Sequence, residues 1–165
     1  AALKTLGINK IIVIDKESEK SRAMEFGAWE FIGSHGKNGV AGVKDKIRAA
    51  AGDMADAVFI CTDSPMGRNV ARRFMKNSGS ICEMGFLCGW RRTPTARYFE
   101  DSMPAGGRFY AARDYENCMN FLAKAAEMKL PLYKLITHRY KLEEINEAMW
   151  TVVREEGLGI AVFNR

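Results

Sequence analysis

Three short apolar runs with no polar face punctuate the first half of the chain: Ile11-Ile12-Val13-Ile14, Ala57-Val58-Phe59-Ile60-Cys61 and Ile81-Cys82 within Ser80–Gly85. Runs of this length, rich in β-branched residues, predict strands buried on both faces, as in a parallel sheet. They place strands at Lys10–Asp15, Asp56–Cys61 and Ser80–Gly85, with shorter ones at Trp29–Ile32, Arg108–Ala112 and Leu158–Phe163. Helical spacing fills the intervals. Helices are predicted over Ala1–Leu6, closed by Gly7, over Glu17–Phe26, closed by Gly27, over Val43–Ala51 and over Met66–Lys76. Gly33–Gly42 is predicted as a loop, and Thr62–Pro65 and Asn77–Gly79 as turns.

The pattern weakens between Phe86 and Gly107, a connection marked by Pro94, Pro104, Gly106 and Gly107. Asp114 then offers a cap for a helix with Tyr115, Cys118, Met119, Leu122 and Ala126 at helical spacing. Lys134–Tyr140 is predicted extended. Leu142–Glu155 is an amphipathic helix with Leu142, Ile145, Met149, Val152 and Val153 on one side. Alternating strands and helices predict an α/β fold, with a parallel sheet covered on both faces.

The join between the first strand and the next helix carries candidate chemistry. The apolar run stops at Asp15, and a polar helix start follows, ending at Gly27. This strand–acid–helix–Gly order is how a dinucleotide-binding domain presents a carboxylate to the adenosine ribose. The G-x-G-x-x-G turn that precedes it in such domains is absent from the sequence, which opens as if already inside the helix that turn would start. The glycines of Gly33–Gly39 lack the Gly-Lys-Ser/Thr ending of a phosphate loop. His35 and His138 lack a nucleophile and acid at recognisable spacing, so no hydrolase triad is indicated.

Composition changes this picture little. The 165 residues are 47% hydrophobic and 27% charged, ordinary for one globular domain with a real core. No apolar run approaches a bilayer span, so no membrane partner is expected. The four cysteines, Cys61, Cys82, Cys88 and Cys118, show no zinc-knuckle or C-x-x-C spacing and are expected as free thiols in a cytoplasmic protein. The formal charge of +5 is scattered rather than gathered with aromatics into one stripe. A nucleic-acid partner is therefore not expected, while an anionic dinucleotide suits the mild positive bias.

Five segments occur in order: Ile11–Asp15, Glu25–Ala28, Ala55–Cys61, Ser78–Gly85 and Leu135–Ala148. Together they resemble the C-terminal, coenzyme-binding half of the medium-chain dehydrogenase/reductase family, the zinc-type alcohol dehydrogenases. The resemblance implies an incomplete Rossmann-like doubly wound parallel sheet with helices on both faces. It divides the chain into residues 1–112, a truncated NAD-binding domain, and 113–165, a helix–helix–strand segment that would return to a catalytic domain. The family's first strand would lie between Lys10–Asp15 and Asp56–Cys61. Its absence leaves either a gap or direct pairing of those two.

The implied activity is NAD-dependent hydride transfer between an alcohol or aldehyde and nicotinamide, with zinc bound by an N-terminal domain. This chain then carries no catalytic or metal-ligating residue, is inactive alone, and associates as a homodimer or higher oligomer. The alternative is a non-catalytic Rossmann-like module for nucleotide binding or oligomerisation.

The resemblance also assigns cofactor-binding candidates. Asp15 would accept both ribose hydroxyls and repel a 2′-phosphate; the bland reading is a turn-starting acid. Lys20 matches a family lysine that reaches the same ribose, and equally suits a solvated helix face. Cys61 and Thr62 end the second buried strand, where the family lines the adenine and nicotinamide-ribose region; core packing serves Cys61 as well. Gly85 and Phe86 end the third, where the backbone approaches the nicotinamide. Asp63 departs from the glycine the family often has there.

Overall fold

The structure is a computed structural model, and it describes residues 1–34, 39–62, 65–84, 104–105, 112–154 and 159–163. Helix α1 (Ala2–Thr5) leads to strand β1 (Ile12–Asp15). A single 3-10 turn at Glu17–Glu19 and helix α2 (Lys20–Glu25) then carry the chain to β2 (Glu30–Gly33). Gly27 supplies the left-handed turn between α2 and β2, with φ 97°. Strand β2 pairs with β1 in parallel, Ile12 against Glu30 and Asp15 against Gly33.

Helix α3 (Gly39–Ala51) follows, then β3 (Ala55–Ile60), α4 (Pro65–Ala71) and β4 (Met75–Glu83). Strand β4 pairs in parallel with β3 and with the two-residue β5 (Pro104–Ala105). Helix α5 (Ala112–Glu127), β6 (His138–Lys141), α6 (Ile145–Val153) and β7 (Ile160–Phe163) complete the described chain, with β6 and β7 parallel.

Among the described residues, the strands form three parallel sheets, β1–β2, β3–β4–β5 and β6–β7. Of the two arrangements expected for β1 and β3, the structure shows the gap, because they belong to different sheets. A shared core joins them. Ile32 of β2, Val43 and Ile47 of α3, Met54 and Phe74 form one buried cluster, with Ile12, Ile14, Val40 and Val70 packed on it. Apolar contact across this cluster stands in for the missing hydrogen-bonded ladder.

Several boundaries differ from the sequence expectation. Helix α3 starts at Gly39 rather than Val43, because Val40 joins Val43 and Ile47 on the core-facing stripe and that packing outweighs the poor helix propensity of Gly39 and Gly42. The turn at Asn77–Gly79 lies inside β4. The register advances from Ala55 to Ala57 on β3 while β4 advances from Met75 to Ser80, so these residues bulge from a continuous pairing. Lys76 anchors the bulge, its Nζ lying 2.8 Å from Asp56 Oδ1 and 3.5 Å from Asp53 Oδ2. Ala112 opens α5 instead of ending a strand, and Asp114 sits in the first turn rather than at the cap. The rest of the strand expected at 108–112 lies outside the described residues. Residues Leu132–Leu135 form a 3-10 turn, so the extended segment begins only after it.

Burial differs too. On β3 the cover is one-sided: Val58 and Ile60 point inward with Ile81 of β4, while Ala57 and Phe59 are exposed. Residues opposite in register share a face, so the side of this sheet that carries Val58 and Ile81 is packed more closely than the side that carries Phe59 and Cys82. The helix expected from Leu142 begins as a 3-10 turn at Leu142–Glu144, before α6; in α6 the buried positions are Ala148 and Thr151, and Ile145, Met149, Val152 and Val153 are exposed, as is Leu142 in the turn. The two-stranded β6–β7 sheet covers only a narrow strip of the helix. In α5, likewise, Ala125 is buried while Tyr115, Met119 and Leu122 are exposed.

Candidate functional site

The carboxyl end of β1 is built by the strand stopping at Asp15. Its backbone carbonyl accepts from Ser34 N–H at 2.8 Å, closing the ladder with β2. The exposed Asp15 side chain turns forward, and Oδ1 accepts from Lys16 N–H at 2.7 Å. That backbone donor holds one carboxylate oxygen.

Glu17 adds a second acid that the sequence reading missed. A Cβ placed on Gly33, the register partner of Asp15, would stand 2.7 Å from Glu17 Oε2. The carboxylate therefore lies over a bare backbone position. Lys20 Nζ is 3.7 Å from Glu17 Oε1, with both side chains largely exposed. The structure thus brings Asp15, Glu17 and Lys20 to one edge, with Lys20 paired to Glu17. The only signal for Glu17 in the sequence was its place two residues beyond a strand-ending acid.

The second edge lies at the ends of β3 and β4. Cys61 is one residue past β3 and exposed, not packed in the core. Burial of its surroundings and, secondarily, the neighbouring Cys82 push its thiol upward, which favours the protonated form. Thr62, also exposed, follows it. Met84 N–H donates to the Ile60 carbonyl at 2.8 Å, extending the ladder beyond Glu83. Gly85 and Phe86 lie outside the described residues, as do His35 and Asp63. Asp15 and Lys20 therefore stand at the end of one sheet, and Cys61 and Thr62 at the end of another.

Two further charged groupings hold the frame. Asp53 accepts from Met54 N–H at 2.7 Å, and this bond, with Lys76 close by, holds its carboxyl below the usual range. Lys134 pairs with Glu25 at the end of α2, linking the C-terminal segment to the helix that follows β1. The hydrogen bond to Glu25 pushes the Lys134 ammonium upward. Among the described residues, no group of three or more His, Cys, Asp or Glu side chains could hold a metal ion. Among the same residues, no helix is long and apolar enough to cross a membrane. The described cysteines, Cys61, Cys82 and Cys118, are free thiols, as expected.

No family model matches the chain. Sorbitol dehydrogenases 1 and 2 of Saccharomyces cerevisiae are each 26% identical to it over 153 residues, covering 90% of this chain and 42% of theirs. An alcohol dehydrogenase from Thermotoga maritima superposes with a TM-score of 0.82 at 18% identity, over 98% of this chain and 45% of that one. A protein from Escherichia coli CFT073 described as a short chain alcohol dehydrogenase, solved with NADH, gives a TM-score of 0.70 at 18% identity, over 98% of this chain and 47% of that one. The chain thus spans somewhat less than half the length of the proteins it matches. In sequence and in its Rossmann-like mixed α/β fold, it resembles the medium-chain dehydrogenase/reductase family of zinc-type alcohol dehydrogenases.

Proposed function

We propose that this chain is the coenzyme-binding portion of an NAD-dependent alcohol or polyol dehydrogenase. The observation that carries the reading is Asp15. It is an exposed carboxylate at the end of a parallel strand, with one oxygen held by a backbone donor. Such a group accepts ribose hydroxyls, and a second acid at Glu17 adds repulsion toward a 2′-phosphate. Lys20, released from Glu17, supplies a donor to the same ribose. Cys61 and Thr62, with Gly85 and Phe86, border the remainder of the coenzyme.

The coenzyme, when bound, accepts or donates hydride at its nicotinamide ring. The role of this chain is to bind and orient it. Zinc belongs in this reading to a separate catalytic domain, and no described residue set here fits it. Residues 1–112 form the coenzyme side and 113–165 the segment that returns toward that domain. The substrate is a small alcohol or aldehyde, the compartment is the cytoplasm, and the assembly is a homodimer or higher oligomer. The exposed apolar side chains of α6 support the association. The separation of β1 and β3 into different sheets favours a second reading, a Rossmann-like module that binds a nucleotide or oligomerises without chemistry.

Titration of NADH into the 165-residue chain, followed by amide chemical shifts, tests the first reading. Binding should be weak, roughly millimolar, because no G-x-G-x-x-G turn cradles the pyrophosphate. It should nevertheless perturb residues 15–20, 33–34 and 60–62. Asp15→Ser should remove the perturbation at the β1 edge and narrow the preference for NADH over NADPH. Shifts confined to other residues, or an Asp15→Ser chain that responds as the unmutated one does, would refute it.

A further inference from the structure

On the less closely packed face of the β3–β4 sheet, Phe59 stands opposite Cys82 in register. Side chains two residues apart share a face, so the continued ladder sets Cys61 beside Met84 on the side that carries Phe59 and Cys82. Three sulfurs therefore gather at one strand edge. Cys82 Sγ lies 3.6 Å from Met84 Sδ. Cys61 and Met84 are exposed and Cys82 is half-buried, so the group is open to solvent and partly walled by the sheet.

We propose that Cys61, Cys82 and Met84 form a binding site for a soft monovalent cation, of which copper(I) is the biological example. Thiolate and thioether donors select soft ions, whereas magnesium, calcium and manganese prefer oxygen. The spacing fits: two metal–sulfur bonds of about 2.3 Å, meeting at roughly 100°, span the 3.6 Å between Cys82 and Met84. Cys61 closes the third position from the adjacent strand. Binding exchanges two thiol protons, released to solvent, for one cation, and no group is oxidised or reduced. The site requires no bound nucleotide.

The test is an anaerobic titration of the reduced chain with copper(I) against a chromogenic copper(I) chelator, in a Cys88→Ser, Cys118→Ser background. One equivalent should bind. Cys61→Ser and Cys82→Ser should each weaken binding by at least ~10-fold, and so should unfolding in urea, because the donors converge only in the folded sheet. A smaller loss in either variant, or an unfolded chain that binds as well as the folded one, would overturn the site. A second measurement needs no substitution. One equivalent of copper(I) should protect Cys61 and Cys82 from iodoacetamide while Cys118 stays reactive. Unchanged alkylation of Cys61 and Cys82 would overturn it equally.

Discussion

Replacing Ile47 by alanine should uncouple the β1–β2 sheet from the β3–β4–β5 sheet. Ile47 is 2% exposed and belongs to the cluster that joins β1–β2 to the β3–β4 region, where no hydrogen-bonded ladder does so. The substitution removes three carbons, worth ~2.4 kcal/mol at about 0.8 kcal/mol for each buried methylene. A cavity remains between α3, Ile32, Met54 and Phe74, because the two sheets can close over it only by shifting as bodies. With that addition the expected cost is about 3–4 kcal/mol, within the range of isoleucine-to-alanine changes in other cores. Urea unfolding followed by far-ultraviolet circular dichroism measures it. Amide exchange then locates the effect: protection in β1 and β2 should fall before protection in the β6–β7 unit. Met149→Ala provides the contrast, since Met149 is 59% exposed and its loss should cost no more than ~0.5 kcal/mol. Equal costs at the two positions would refute the reasoning, because the core cluster would then not be what joins the sheets.

Two further outcomes follow from polar contacts. Thr151, buried in α6, donates to the Glu147 carbonyl at 3.0 Å and meets the Tyr140 hydroxyl at 2.8 Å. Thr151→Val strands that hydroxyl and should cost ~1–2 kcal/mol, more than Tyr140→Phe, which leaves Thr151 its carbonyl partner; a double-mutant cycle by urea unfolding gives the ordering, and a reversed order would contradict it. The depressed Asp53 carboxyl contributes stability that is present above its unfolded pKa of about 3.9 and is lost as pH falls through its lower folded value. Asp53→Asn should therefore be less stable than the unmutated chain at neutral pH and should converge with it in acid, once pH has fallen through that lowered folded value, as thermal melts across pH would show; a difference that widens in acid would reverse the sign of the argument.

The strands were legible because their signal is local and strong. Ile11–Ile14 and Val58–Ile60 are β-branched or aromatic, and each ends at a polar or turn residue, so strand type and parallel pairing could be read directly. The bulge at Asn77–Gly79 was not legible, because turn-forming residues read alike whether the chain reverses or merely loops out of a ladder. One-sided burial on β3, α5 and α6 escaped for a different reason. Periodicity shows that an apolar face exists, not whether anything covers it. Asp15 was found because an acid that ends a buried strand has few bland explanations. Glu17 was missed because its place over Gly33 depends on a backbone approach between strands, which no spacing along the chain records.

The pairing of strands has a consequence for how the chain acquires its structure. Among the described residues, every ladder joins strands consecutive in sequence: β1 with β2, β3 with β4, β4 with β5, and β6 with β7. A Rossmann sheet in which a central strand recruits distant partners must close long loops before its contacts form. Here β1–α2–β2, β3–α4–β4 and β6–α6–β7 each close a loop little longer than one helix, so the entropy of bringing the ends together is small. Each unit can zip up from its own residues, and the cluster around Ile47 then acts as a docking step between preformed pieces. Folding should follow the rhythm of the units rather than that of a single sheet, with the Lys134–Glu25 pair forming only once the units have docked.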